Sequence, residues 1–204
     1  MQDLLISVLK PKIEKLPFIT LFGGLAQTLR TWSDGREVRQ PISNEPGLLL
    51  QRGLDPKQYV SLAPDGREKG VAYFEHRSMT TGAVEGGRLT VNSVLRLVYW
   101  GALGDDPSAP ILAQTAIMKT IPDILYTARP LSHIFHEVSS VIPHQGSLFD
   151  KYTYDEKQLQ YLMSPYTAFA IEIKTRFKIA LSCLPSDGPQ LDVSFSDSFN
   201  STFG

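Results

Sequence analysis

The sequence predicts an α+β fold: a mixed, mainly antiparallel sheet with an N-terminal helix and further helices packed on one face. Three observations carry this. From Ala168 to Leu181 the apolar residues Phe169, Ile171, Ile173, Phe177, Ile179 and Leu181 alternate with Ala170, Glu172, Lys174, Arg176, Lys178 and Ala180. That is the period of an antiparallel strand with one dry and one charged face. Arg88 to Trp100 repeats the pattern, with Leu89, Val91, Leu95, Leu97 and Tyr99 on one side. Leu5, Val8, Leu9, Ile13 and Leu16 instead recur at helical spacing.

Taken in order, the first element is that helix, with Asp3 at the positive end of its dipole. Pro11 kinks or splits it and Pro17 marks its stop. Residues 18–43 read as a hairpin. Gly23-Gly24 forms a bend or bulge, Leu25 to Trp32 the first arm, Ser33-Asp34-Gly35 the turn, and Arg36 to Ile42 the second arm. Residues 43–70 are dense in turn formers and predict a loop-rich excursion with a short strand near Tyr59 to Leu62. Val71 to Arg77 is a short strand and Thr80 to Gly87 a flexible loop of small residues. That loop is either an arm that orders against a partner or an ordinary hairpin connection.

The apolar residues on the second face of the 88–100 strand, Val94, Val98 and Trp100, predict partial cover by a helix, a loop or another subunit. Ser108 caps a helix whose stripe is Ile111, Leu112, Thr115, Met118 and Ile121, broken at Pro122. A second helix is expected over Leu131 to Val141, and a short one over Asp155 to Leu162. The tail from Leu184 onwards is rich in Ser, Asp and Pro and carries Phe195, Phe199 and Phe203. It reads either as a disordered terminus or as an arm whose aromatics dock on a neighbour. The expected organisation is one domain over 1–184, its insertion at about 43–70, and an extended arm over 185–204.

Composition narrows function. A chain of 204 residues with 42% hydrophobic and 20% charged residues can bury a core without staples. Twenty Lys+Arg against 21 Asp+Glu gives a net charge of −1, which disfavours a general binder of nucleic acid or anionic membranes. No apolar run approaches the ~20 residues of a membrane helix, and no signal peptide is expected at the N-terminus. The single Cys183 excludes an intrachain disulfide and fits a reducing compartment.

Residues that carry chemistry are sparse. His133 and His136 stand three apart on the expected second helix, beside Glu137, and His144 follows. They support a metal-dependent hydrolase as an alternative, but no HExxH-type motif accompanies them. Cys183 lacks a neighbouring base, and no GxSxG, Walker A or GxGxxG segment follows a strand. No catalytic, cofactor or metal residue is therefore assigned. The aromatic stretch 149–166, with Phe149, Tyr154 and Tyr161, is the place for a ligand module if one exists.

The segments MQDLLISVLKPKIEKLPFITLF, RLTVNSVLRLVYWGAL, APILAQTAIMKTIPDIL and YTAFAIEIKTRFKIAL, in that order, resemble the tail terminator and head–tail completion (neck) proteins of tailed phages. The likeness is one of element order and covers under half of the chain. It implies a small α+β domain that assembles as a homo-oligomeric ring at the tail end or neck. It also implies localisation in the virion, assembled in the bacterial cytoplasm, other tail or neck proteins as partners, and no enzymatic activity. A cap component of a contractile injection apparatus would share the same physics. Sequence-specific nucleic-acid binding, a membrane and a cofactor are not expected. Expected interface residues are Thr81, Gly82 and Val84 in the 80–87 loop, Glu172, Lys174, Arg176 and Lys178 on the charged strand face, and Phe195, Phe199 and Phe203 in the tail.

Overall fold

The alternating segment near the C-terminus becomes a long strand of the main sheet, paired on both sides. The computed structural model describes residues 2–33, 35–104, 106, 108–127, 135–142, 148–154, 159–161 and 163–183. Its elements are α1 (Gln2–Ile13), β1 (Leu21–Leu25), β2 (Gln27–Ser33), β3 (Arg36–Ser43), α2 (Pro46–Gln51), β4 (Val60–Ser61), β5 (Gly70–Glu85), β6 (Arg88–Ala102), α3 (Ala109–Thr127), β7 (Phe135–Ile142) and β8 (Tyr166–Ala180). β8 pairs antiparallel with β6 from Arg88↔Ala180 to Ala102↔Tyr166, and on its other side with β7. The main sheet has the order β1-β5-β6-β8-β7, with only β1 parallel to its neighbour. A smaller sheet, β2-β3-β4, joins the hairpin β2–β3 to β4, a short strand from the insertion. The α+β class with a mainly antiparallel sheet is thus as the sequence predicts.

Each face of the main sheet carries its own core. On the first, Leu5, Leu9 and Ile13 of α1 and Ala113, Ile117 and Ile121 of α3 pack on Phe74, Leu95, Leu97, Tyr99, Phe169, Ile171 and Ile173. Both long helices therefore lie on one face, as expected. The second core joins Val71, Tyr73, Val98, Trp100, Ala168 and Ala170 of the sheet to Leu48 of α2, Leu62, Leu148, Phe149 and Tyr152. That is the cover predicted for the second face of β6. Trp100 stacks on Tyr166 with ring centroids 5.4 Å apart and meets Tyr161 edge-on at 6.3 Å.

Several expectations are corrected. The first hairpin arm is divided: Leu21–Leu25 joins β5 in the main sheet, and only Gln27–Ser33 pairs with β3. The expected Gly23-Gly24 bulge makes the change of sheet, with a register shift between Phe22 and Leu25 and φ +64° at Gly24. The segment 80–87 is not a loop. β5 stays paired to β6 up to Glu85↔Arg88, because Gly86 and Gly87, at φ 54° and 69°, complete a two-residue turn. Its small residues include the strand formers Thr80, Thr81 and Val84.

Residues 135–142, expected to be helical, form the strand β7. Phe135, Val138, Val141 and Ile142 suit a pleat, and β8 offers them a flank of unpaired backbone. In α3 the inward residues are Ala113, Ile117 and Ile121, while Ile111 and Leu112 are 64% and 62% exposed. The small Ala113 lets the helix approach the sheet, and the helix runs through Pro122 to Thr127 instead of breaking. Finally, 46–51 is a short helix, with Pro46 in its first turn and Leu48 and Leu49 buried. α1 continues through Pro11 into its last turn. The expected short helix at 155–162 and the arm at 185–204, with Phe195, Phe199 and Phe203, lie outside the described residues in whole or large part.

Candidate assembly surface

Past the cores, β5, β6 and β8 continue as a three-stranded blade. β7 ends at Phe135↔Arg176 and β1 at Leu25↔Phe74, whereas the other three strands run on to the Gly86-Gly87 turn. Residues paired across strands share a face. One face of the blade carries Met79, Val84, Leu89, Val91, Phe177 and Ile179; Val91 and Phe177 are buried and Val84 is 54% exposed. The other carries Ser78, Thr80, Thr90, Asn92, Lys174, Arg176 and Lys178. The Arg176 Nε donates to Asn92 Oδ1 at 3.0 Å, and Lys178 Nζ to Glu85 Oε2 at 3.1 Å. Glu137 of β7 stands cross-strand from Lys174.

The structure brings together most of the residues expected at an interface. Thr81, Gly82 and Val84 lie on the blade's outer strand, and Lys174, Arg176 and Lys178 project from its third strand into solvent. Glu172 separates from them. It belongs to a row running across three strands, Glu75↔Arg96↔Glu172, on the second face of the sheet. Arg96 Nη2 donates to Glu172 Oε1 at 2.7 Å, and Arg96 is buried. Glu75, 1% exposed, accepts from the Tyr152 hydroxyl at 2.6 Å, and Lys151 Nζ lies 3.3 Å away. Burial, followed by the Glu75 charge, pushes the Tyr152 and Tyr154 hydroxyls well above the ordinary phenol range. Burial does the same to Tyr73. This row bounds the second core and straps residues 148–154 to the sheet. It had a signal in the sequence: Glu75 continues the inward alternation Val71, Tyr73, and Arg96 stands between Val94 and Val98.

A second exposed hairpin, β2–β3, closes at Ser33↔Arg36 with Gly35 at φ 74°. Trp32 near its tip is 77% exposed. The sequence reading placed the hairpin but did not single out this indole. Its neighbourhood is polar: Arg39 Nη2 donates to Glu37 Oε2 at 2.6 Å, and that contact holds the Glu37 carboxyl below its ordinary range.

The other places for chemistry offer less. A cleft of about 300 Å³ between α1, β1 and α2 is lined by Lys10, Glu14, Thr20, Gln51 and Arg52. Its cations are engaged, Lys10 with Glu45 and Arg52 with Glu68. Among the described residues no group of three or more His, Cys, Asp or Glu is placed to hold a metal. His136 stands on β7, so the helical spacing invoked for it with His133 does not apply; His133 and His144 lie outside the described residues. Phe149, Tyr154 and Tyr161 pack into or against the second core. No helix among the described residues is long and apolar enough to cross a membrane.

No family model matches the chain, and no curated protein matches it significantly.

Proposed function

We propose that the chain is a ring-forming structural subunit of a phage tail end or head–tail neck, of the tail terminator or completion type. It acts in the virion beside other tail or neck proteins and catalyses no reaction. The observation that supports this best is the pair of hairpins projecting past the cores. One presents Trp32, the other Val84 and a strand edge with which no described residue pairs, and α3 adds Ile111 and Leu112 to the exposed apolar surface. Large apolar side chains in water on extended elements favour burial against a partner. The resemblance in element order supplies the identity of that partner: further copies in a ring, and the tail or neck components it closes.

Light scattering on size-exclusion fractions, with electron microscopy of the purified chain alone and mixed with tail tubes, tests the proposal. Rotationally symmetric rings, or a ring seated on tube ends, are the expected result. A chain that stays monomeric in both settings and is missing from purified particles would overturn it.

A further inference from the structure

The blade has an open edge. β1 covers β5 only as far as Phe74, whose carbonyl accepts from the Ala26 N–H at 2.8 Å. Beyond it, no described residue pairs with the outer side of β5, although the strand continues for eleven residues to Glu85. Between Arg77 and Glu85 that edge reads Ser78, Met79, Thr80, Thr81, Gly82, Ala83, Val84, with no charge to repel an incoming strand. Natural edge strands of this length are ordinarily blunted by charge, proline or cover. Here only two register shifts, at 76–78 and 81–84, interrupt it.

The chain also supplies a segment of matching chemistry. From Asp192 to Phe203 the odd positions are Val193, Phe195, Asp197, Phe199, Ser201 and Phe203, and the even ones Ser194, Ser196, Ser198, Asn200 and Thr202. Four of the six odd positions are apolar, and every even position from 194 on is neutral and polar. This is the period of a two-faced strand. Laid along β5, it would extend the blade's apolar face (Met79, Val84, Leu89) with phenylalanines and its polar face (Thr80, Asn92) with hydroxyls and an amide. Charge permits the contact: between 192 and 203 the only charges are Asp192 and Asp197, and the edge from Ser78 to Val84 is neutral. Length agrees too: at about 3.3 Å per residue, both the segment and the edge span roughly 30–40 Å.

Resting on the ring reading above, we propose that residues 192–203 of one copy add as a strand to the open edge of β5, over residues 77–85, in the next copy. The tail leaves the described residues at the blade tip, where the Leu181 N–H donates to the Gly87 carbonyl at 2.9 Å. The eight-residue connection 184–191, with Pro185 and Pro189, reaches up to about 25 Å from there. Head-to-tail strand addition of this kind is a heterologous contact, which closes into a ring when the rotation allows.

The test compares the full chain with a full-length variant carrying Phe195→Ser, Phe199→Ser and Phe203→Ser. Both are followed by light scattering and by amide hydrogen exchange across a hundred-fold concentration range. In the parent chain, exchange at 77–85 should slow at least ten-fold as the oligomer forms, with 27–33 on the other hairpin unaffected by the tail. At the lowest concentration, where both are monomeric, the variant should keep the parent's melting temperature; at higher ones it should lose the protection at 77–85 and assemble more weakly. A variant that assembles and protects 77–85 like the parent overturns the strand addition and leaves the ring reading standing. Protection that depends on the phenylalanines but not on concentration places the tail on its own edge and overturns the exchange between copies. A parent chain that never self-associates, even with tail tubes, overturns both.

Discussion

Glu75 is the residue on which the second face of the sheet turns. Its carboxylate is sealed from solvent, accepts from Tyr152 and lies beside Lys151. Replacing Glu75 by Ala leaves the Tyr152 hydroxyl without its acceptor and opens a cavity, a loss of about 2–4 kcal/mol. Tyr152→Phe removes one hydrogen bond and should lose about 1–2 kcal/mol. Urea denaturation of the two single variants and the double variant checks both values and their coupling, since neighbours in one network do not add. The same residues set an alkaline limit. The phenols of Tyr73, Tyr99, Tyr152 and Tyr154 titrate higher in the folded chain than in the unfolded one, chiefly because they are buried. Their stabilising contribution is complete below pH ~10 and falls above it, since the unfolded chain then releases protons the folded chain retains. Each such tyrosine steepens the loss by up to about 1.4 kcal/mol per pH unit. Denaturation midpoints should therefore fall as the pH rises above about 10, and tyrosinate absorbance should rise together with unfolding.

At the scale of elements, the joint between β5 and β6 is the tightest. Gly70 and Gly101 face each other at the base of the hairpin, and a Cβ on Gly101 would lie 2.6 Å from the Lys69 carbonyl oxygen. Backbone cannot swing aside as a side-chain tip can. Gly101→Ala should thus destabilise by about 1–3 kcal/mol, measured by thermal or urea unfolding. The same substitution at Gly47, where nothing lies within 4 Å, should be close to neutral. Elements were legible wherever one local signal sufficed. The alternation in β8 and β6, the Asp34-Gly35 turn and the helical spacing in α1 each needed only neighbouring residues. β7 and the upper half of β5 were misread because their local signal is ambiguous. A short run of β-branched and small residues fits a helix or a loop until a partner strand fixes it: for β7 that partner is β8, far along the chain, and for β5 it is β6, folded back across the Gly86-Gly87 turn.

For the whole molecule, exposed apolar surface separates folding from assembly. Trp32 makes little of the core and stands in water. Trp32→Ala should leave the unfolding free energy of the monomer within about 0.5 kcal/mol, while weakening association at least ten-fold if its hairpin is a contact, as sedimentation equilibrium would read. Unchanged association would remove that hairpin from the interface. The candidate site was half legible. Lys174, Arg176 and Lys178 follow from the alternation of β8 alone. The departure of Glu172 into an ion pair does not, because it depends on Arg96 standing opposite on β6.

By itself, the sequence determined the α+β class, the long strands β6 and β8, both long helices' existence, and a chain without a local catalytic motif. These follow from periodicity and composition, which act over a few residues. Only the tertiary structure decided that β1 leaves its hairpin for the main sheet, that 135–142 is a strand, and that Ala113 rather than Leu112 turns inward. It alone aligned Glu75, Arg96 and Glu172 in one row and left the edge of β5 without a partner strand among the described residues. Each of those outcomes is settled by which distant backbone or side chain arrives opposite, and long-range pairing has no signature within the segment itself.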